Sequence, residues 1–161
     1  MIFVTVGTQD KPFVRIIKEI DEAVKRGLIN EEVVVQSGHT KYETDSLKML
    51  EYISFNEFET YIKKASVVIT HGGVGSILNA IKCGKKVIAV PRLEKYKEHI
   101  NDHQLQVTKK FEQDGFILAC YDEKDIVKKL EEINSFEPKK FESNTEEFIS
   151  KFKEILDDVL K

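Results

Sequence analysis

The sequence predicts an α/β domain: a parallel sheet covered by helices on both faces. Two observations carry this. Short, almost continuously apolar runs rich in Val and Ile recur along the chain, and longer stretches of helical period alternate with them. A third bounds the size, because 161 residues, 41% apolar and 33% charged, suit one globular domain with a real core.

The strand-like runs fall at 2–6, 32–36, 67–70, 87–90 and 116–120, with a weaker one near 50–54. Strands buried on both faces have no reason to alternate, so each reads as a short unbroken apolar segment. After the first run, Pro12 fits the first turn of a helix whose apolar face is Phe13, Ile16, Ile17, Ile20 and Val24, and Gly27 ends it. The stretch 36–49 is polar, lacks a clear period and is expected to be mostly a long loop. In the tail, 139–161, Phe148, Ile149, Phe152, Ile155 and Leu156 share one face, and Asn144 and Glu147 are placed as an N-cap pair. This predicts an amphipathic terminal helix that docks on its own sheet, on a partner or on a membrane surface.

A formal charge of −3, with Lys and Glu scattered along the chain, leaves no basic stripe and argues against nucleic acid as a partner. Cys83 and Cys120 lie far apart in apolar segments, so both are expected as buried thiols in a reducing cytoplasm, without a disulfide or a metal knuckle. No basic leader region and no run of about 18 apolar residues is present, so the expectation is a chain neither secreted nor membrane-spanning.

The chemistry concentrates in two places. The run Val67-Val68-Ile69-Thr70 leads into His71-Gly72-Gly73-Val74-Gly75-Ser76, and the helical period of Ile77, Leu78 and Ile81 follows. Glycines let a backbone approach an anion closely, and a helix start offers unpaired N–H groups with a partial positive charge, so a diphosphate fits there. The loop is not a P-loop, since Gly75 stands where Lys is required, and the first turn, Gly7-Thr8-Gln9-Asp10-Lys11-Pro12, lacks the dinucleotide fingerprint.

The second place follows 87–90. Pro91 to Gln104 is dense in hydrogen-bonding side chains, with Arg92, Glu98, His99, Asn101, Asp102, His103 and Gln104. Loops leaving the carboxyl ends of adjacent parallel strands line one crevice, so this segment, the His71 loop and Gly7-Thr8-Gln9 are expected to meet. Mixed donors and acceptors suit sugar hydroxyls, and Arg92 beside a phosphate loop would neutralise a diphosphate. His99 and His103 stand four apart, but no HExxH motif or third ligand is fixed by spacing, so no metal site is expected.

Three segments carry a resemblance: Met1 to Gln9, His71 to Ser76, and Pro91 to Gln106. They resemble the bacterial polysaccharide glycosyltransferase subunits of the PssE/EpsF type. These are small relatives of the cytosolic catalytic subunit of the eukaryotic dolichol-linked N-acetylglucosamine transferase and of the C-terminal domain of MurG-like enzymes. The likeness runs through nearly the whole chain. It implies that 1–161 form a single Rossmann-like domain equivalent to the C-terminal, donor-binding half of a GT-B transferase. It also implies a membrane-anchored acceptor-binding subunit of the PssD/EpsE type, which recruits this cytoplasmic chain to the inner face of the membrane.

The implied reaction is inverting transfer of a hexose from a UDP-sugar to a polyprenyl-pyrophosphate-linked saccharide in exopolysaccharide or capsule synthesis, β-1,4-galactosyl transfer among the options. The alternative is a non-catalytic accessory subunit. No cofactor or metal is implied, the leaving diphosphate being stabilised by the His71 loop and its helix dipole. By the same resemblance Gly73 to Ser76 sit at the donor diphosphate and His103 and Gln104 hold the donor sugar. Glu98, His99, Asn101 and Asp102 shape that pocket. Asn79 departs from the pattern, standing where relatives often carry a Glu for the ribose hydroxyls. A general base would be His71, Glu98 or His99, or would come from the partner.

Overall fold

A computed structural model describes residues 1–142 of the chain. The strands are β1 (Ile2–Thr5), β2 (Val33–Gln36), β3 (Lys48–Leu50), β4 (Val67–His71), β5 (Lys86–Val90) and β6 (Leu118–Ala119). The helices are α1 (Val14–Lys25), α2 (Phe55–Lys64), α3 (Val74–Lys82), α4 (His103–Gln113) and α5 (Ile126–Ser135). All six strands run parallel in the order β3-β2-β1-β4-β5-β6. The order reverses between β1 and β4, so a crevice opens at their carboxyl ends, where the departing loops diverge to opposite sides.

Side chains alternate across the sheet and both faces are covered, which is why the strands read as unbroken apolar runs. Ile2 and Val4 of β1 join α1 and α5 in one cluster, while Phe3 joins α2, α3 and α4 in the other. The fold class is the predicted one, a Rossmann-like sheet with helices on both faces.

Local differences from the expectation have local causes. The weak strand lies at Lys48–Leu50 because Ser54 starts a helix: its side chain accepts the Glu57 N–H while the Glu57 carboxylate accepts the Ser54 N–H. Such a capping box is worth about 1 kcal/mol, enough to take the chain out of the sheet. The stretch 36–49 therefore ends in strand. Helix α1 begins at Val14, past Pro12, with the Phe13 ring buried just ahead of it, and Gly27 ends it at φ +70° as expected. The last strand is shorter than 116–120. Cys120 is buried as expected, but Cys83, at the end of α3, is only partly so. The terminal helix expected from Asn144 onward lies outside the described residues. Among those described, no helix is long and apolar enough to cross a membrane.

Candidate functional site

His71 is the last residue of β4 and Gly73 the N-cap of α3, so Gly75 and Ser76 belong to the first helical turn. The helix starts three residues before the Ile77 at which its apolar period begins. Its first N–H groups, those of Val74, Gly75 and Ser76, have no intrahelical acceptor and carry the positive end of the helix dipole.

The glycines differ in what they make room for. A Cβ on Gly72 would sit 2.6 Å from Thr108 Oγ1 and 2.7 Å from the Gln104 carbonyl, so this residue lets the loop press onto α4. A Cβ on Gly73 would run into the His71 imidazole, and one on Gly7, at φ +80°, would lie 2.7 Å from His71 Nε2. Backbone thus wraps the ring from two sides. Gly75 alone in this loop faces nothing within 4 Å.

His71 Nδ1 accepts the Gly73 N–H at 3.1 Å and lies 3.2 Å from Gln104 Nε2, while its Nε2 is 3.2 Å from Ser76 Oγ. Burial, with the nearby charge of Arg92, pushes its pKa down to about 4. The ring is neutral at pH 7 and a weak general base.

A cavity of about 590 Å³ opens at the carboxyl ends of β1 and β4. Gly7, Thr8 and Gln9 of the first turn line it, with His71, Gly73, Gly75, Ser76 and Asn79 from the second and Gln104 from α4. The first turn and the His71 loop meet here as expected, and of the segment after β5 only Gln104 joins them. Gly72 is buried and Val74 exposed, and neither lines the cavity. A further part of the lining has no counterpart in any motif. It is apolar, formed by Tyr52, Ile53, Phe55 and Phe58, with Thr5 and Gln36 at the base. These residues belong to no spacing pattern, and only the carriage of β3 and α2 to this edge brings them in. An apolar lining that shares a cavity with a helix N-terminus suits a planar base joined to an anion.

Residues 1–159 match the profile of the glycosyltransferase family 28 C-terminal domain. The chain belongs to this family. Human UDP-N-acetylglucosamine transferase subunit ALG13 is 27% identical over 126 residues, 74% of this chain and 11% of that protein. The protein of the same name from Candida glabrata is 31% identical over 135 residues, 81% of this chain and 64% of that one. The family 28 domain therefore spans about a tenth of the human relative and under two thirds of the yeast one. Among solved structures, the kitacinnamycin glycotransferase superposes with a TM-score of 0.63 at 15% identity, over 83% of this chain and 34% of that one. The shared fold is that of the C-terminal half of GT-B glycosyltransferases.

Within this family 28 domain the segment after β5 divides, and only Gln104 reaches the cavity. Arg92 is 1% exposed: Nη1 donates to the Lys11 and Glu98 carbonyls at 2.6 and 3.1 Å, Nη2 to the Val6 carbonyl at 2.6 Å, and the guanidinium stacks on Phe13. Burial pushes its pKa down to about 10, which leaves a cation at neutral pH that knits the loops behind the cavity. The expected contact of Arg92 with a diphosphate is not built here. Glu98 is likewise buried, paired with Arg15 and accepting the Leu93 N–H, which removes it as a base within reach of the cavity.

Asn101 Oδ1 accepts the His103 N–H and Asp102 accepts the Glu94 N–H, so both fold their own loop. His99 lines a separate hollow with Lys97 and Ile100, and His103 is exposed on the first turn of α4. Among the described residues no group of His, Cys, Asp and Glu converges in a metal-binding arrangement, and no carboxylate lines the cavity.

Proposed function

We propose that this family 28 domain is the donor-binding subunit of a two-component, inverting UDP-sugar transferase. The observation that carries the reading is the cavity at the β1/β4 crevice, lined both by the start of α3 and by the apolar residues Tyr52, Ile53, Phe55 and Phe58. The uracil ring would lie on the apolar wall and the diphosphate at Val74 to Ser76. An acceptor hydroxyl then attacks the anomeric carbon from the face opposite the leaving UDP, and charge gathering on the β-phosphate meets the helix N–H groups. The names of the ALG13 relatives, subunits of a UDP-N-acetylglucosamine transferase, support both the donor class and the division into subunits.

The base comes from elsewhere in this scheme. His71 is a weak base and Glu98 is sealed by Arg15, so a second, membrane-anchored chain closes over the cavity and supplies both the acceptor site and the proton acceptor. The acceptor is a polyprenyl-pyrophosphate-linked saccharide of exopolysaccharide or capsule synthesis, the transferred sugar a hexose such as galactose, and the working location the cytoplasmic face of the membrane. Transfer needs no metal and continues in excess chelator.

Calorimetric titration with UDP-galactose, UDP-glucose, UDP-glucuronate and UDP-N-acetylglucosamine, with and without the membrane subunit, tests the proposal. Heat with at least one donor is expected, and sugar transfer only when both chains are present. No UDP-dependent heat under either condition would sink it. The missing carboxylate also favours, in second place, an accessory role. The variant Gly75→Asp, whose Cβ meets nothing within 4 Å, separates the two: a donor subunit loses transfer while keeping its partner, whereas an accessory subunit loses neither.

A further inference from the structure

We infer that His71 is a positioning residue, fixed in one tautomer by Gly73 and Gln104, whose Nε2–H bond to Ser76 leaves the Ser76 hydrogen free to donate to an acceptor in the cavity. The inference rests on the donor-site reading only for the identity of that occupant.

The polarity follows from donors that cannot reverse. A backbone N–H only donates, so the 3.1 Å contact from Gly73 N requires an unprotonated Nδ1 on His71. The proton of the neutral ring is then on Nε2, and the 3.2 Å contact there is a donation to Ser76 Oγ. Gln104 agrees from the other end. Its Oε1 accepts the Arg92 backbone N–H at 3.1 Å, which fixes the amide orientation and leaves its NH₂ group facing Nδ1 at 3.2 Å. Two independent donors therefore converge on Nδ1.

Ser76 Oγ accepts the Nε2–H hydrogen bond and makes no other among the described residues, while lining the cavity. Its own hydrogen is free for a ligand. The bond from His71 occupies one Oγ lone pair and turns the hydroxyl hydrogen away from the ring, so an acceptor opposite finds a donor already in place. A phosphate oxygen uses that donor, whereas an ammonium or amide N–H would take only the remaining lone pair and leave the hydrogen unmatched. Gln104, 5% exposed, acts here through the ring, with both ends of its amide already engaged.

The test begins on the free chain. With ¹⁵N-labelled histidine, His71 should show the pattern of a neutral ring protonated at Nε2 near pH 7. A ring protonated at Nδ1 would overturn the inference whether or not UDP binds. Affinities for UDP and uridine then read the consequence. Ser76→Ala should weaken UDP about tenfold to a hundredfold and leave uridine unchanged, as expected for one hydrogen bond to a charged group. Gln reproduces the Nε2 donor and Asn does not reach it, so His71→Gln should hold UDP within about twofold of the wild type. His71→Asn should weaken it as far as Ser76→Ala does. The double variant His71→Asn with Ser76→Ala should be no worse than either alone, and additive losses would show that the two act separately. If the wild-type chain binds neither UDP nor uridine, the donor reading fails, while the labelled spectrum still decides the tautomer.

Discussion

Arg15 and Glu98, 83 residues apart in sequence, form a shielded ion pair with Nε of Arg15 2.8 Å from Oε1 of Glu98. The same guanidinium reaches Glu123 at 2.7 Å and the Pro91 carbonyl at 2.7 Å, and Glu98 Oε2 accepts the Leu93 N–H. One side chain on α1 thus fixes the loop after β5, whose far end places Gln104 at the cavity. Arg15→Ala leaves a buried carboxylate without its cation and should cost about 3–5 kcal/mol, seen as a fall in the urea midpoint. Glu98→Gln keeps an acceptor for Leu93 and should cost less. Equal midpoints for Arg15→Ala and wild type would show that the pair is solvated in practice.

Gly75 and Gly73, two residues apart, should respond in opposite ways to the same methyl group. Gly75 lies in the first turn of α3 and its Cβ would enter open space, so Gly75→Ala should stabilise the fold by up to about 1 kcal/mol. That space is the cavity, so UDP affinity should fall at the same time, about tenfold if the methyl displaces one phosphate contact. Gly73→Ala drives a Cβ into the His71 ring and should lower both stability and binding. Thermal unfolding beside calorimetry separates the cases. A Gly75→Ala protein that binds UDP normally would place the diphosphate elsewhere.

What the sequence could and could not disclose follows from which forces have a local signature. Ile16, Ile17 and Ile20 announce their face because burial repeats with the helical turn, and Gly27 announces a stop because only a positive φ continues the chain there. His71 to Ser76 was legible as an anion-ready helix start. Depth was not: Arg92 looks like any surface cation until Val6 and Lys11 from a distant part of the chain and Glu98 of its own loop offer it three carbonyls. Tyr52 and Phe55 were illegible for the converse reason, being exposed apolar residues whose role comes only from the sheet order that sets β3 beside β2.

The polar stretch after β2 hides a further case. Asp21 on α1 is 1% exposed and accepts hydrogen bonds from Lys25 at 2.7 Å, Tyr42 at 2.9 Å, and Thr44 and Ser46 at 2.5 Å each. Burial alone would raise its pKa, but these donors, Lys25 foremost, outweigh it and hold the carboxyl well below the usual carboxylate range. Asp21→Ala should cost about 3 kcal/mol at pH 7 and expose residues 41–47 to proteases. Because the folded pKa is depressed, this contribution is complete above the ordinary value of about 4 and fades only as pH falls below it. The gap between wild type and Asp21→Asn should accordingly narrow in acid, and a gap that widens there would refute the assignment.

His71 loses stability in the same direction, toward acid, but in a higher window. Burial, then the charge of Arg92, lowers its folded pKa to about 4 from an unfolded value of 6.5. Between those values the unfolded chain takes up a proton that the folded one refuses, so stability is full above pH 6.5 and is lost as pH falls toward 4. The loss is on the order of 3 kcal/mol for a shift of this size. His71→Gln has no titrating ring, so its urea midpoint should fall less over the same range, once carboxylate effects common to both proteins are subtracted. Bound UDP should shrink the difference, because a dianion beside the ring makes the imidazolium less costly and raises the folded pKa toward 6.5. Parallel curves for the two proteins from pH 7 to pH 4 would mean that the ring titrates as freely in the fold as in the unfolded chain.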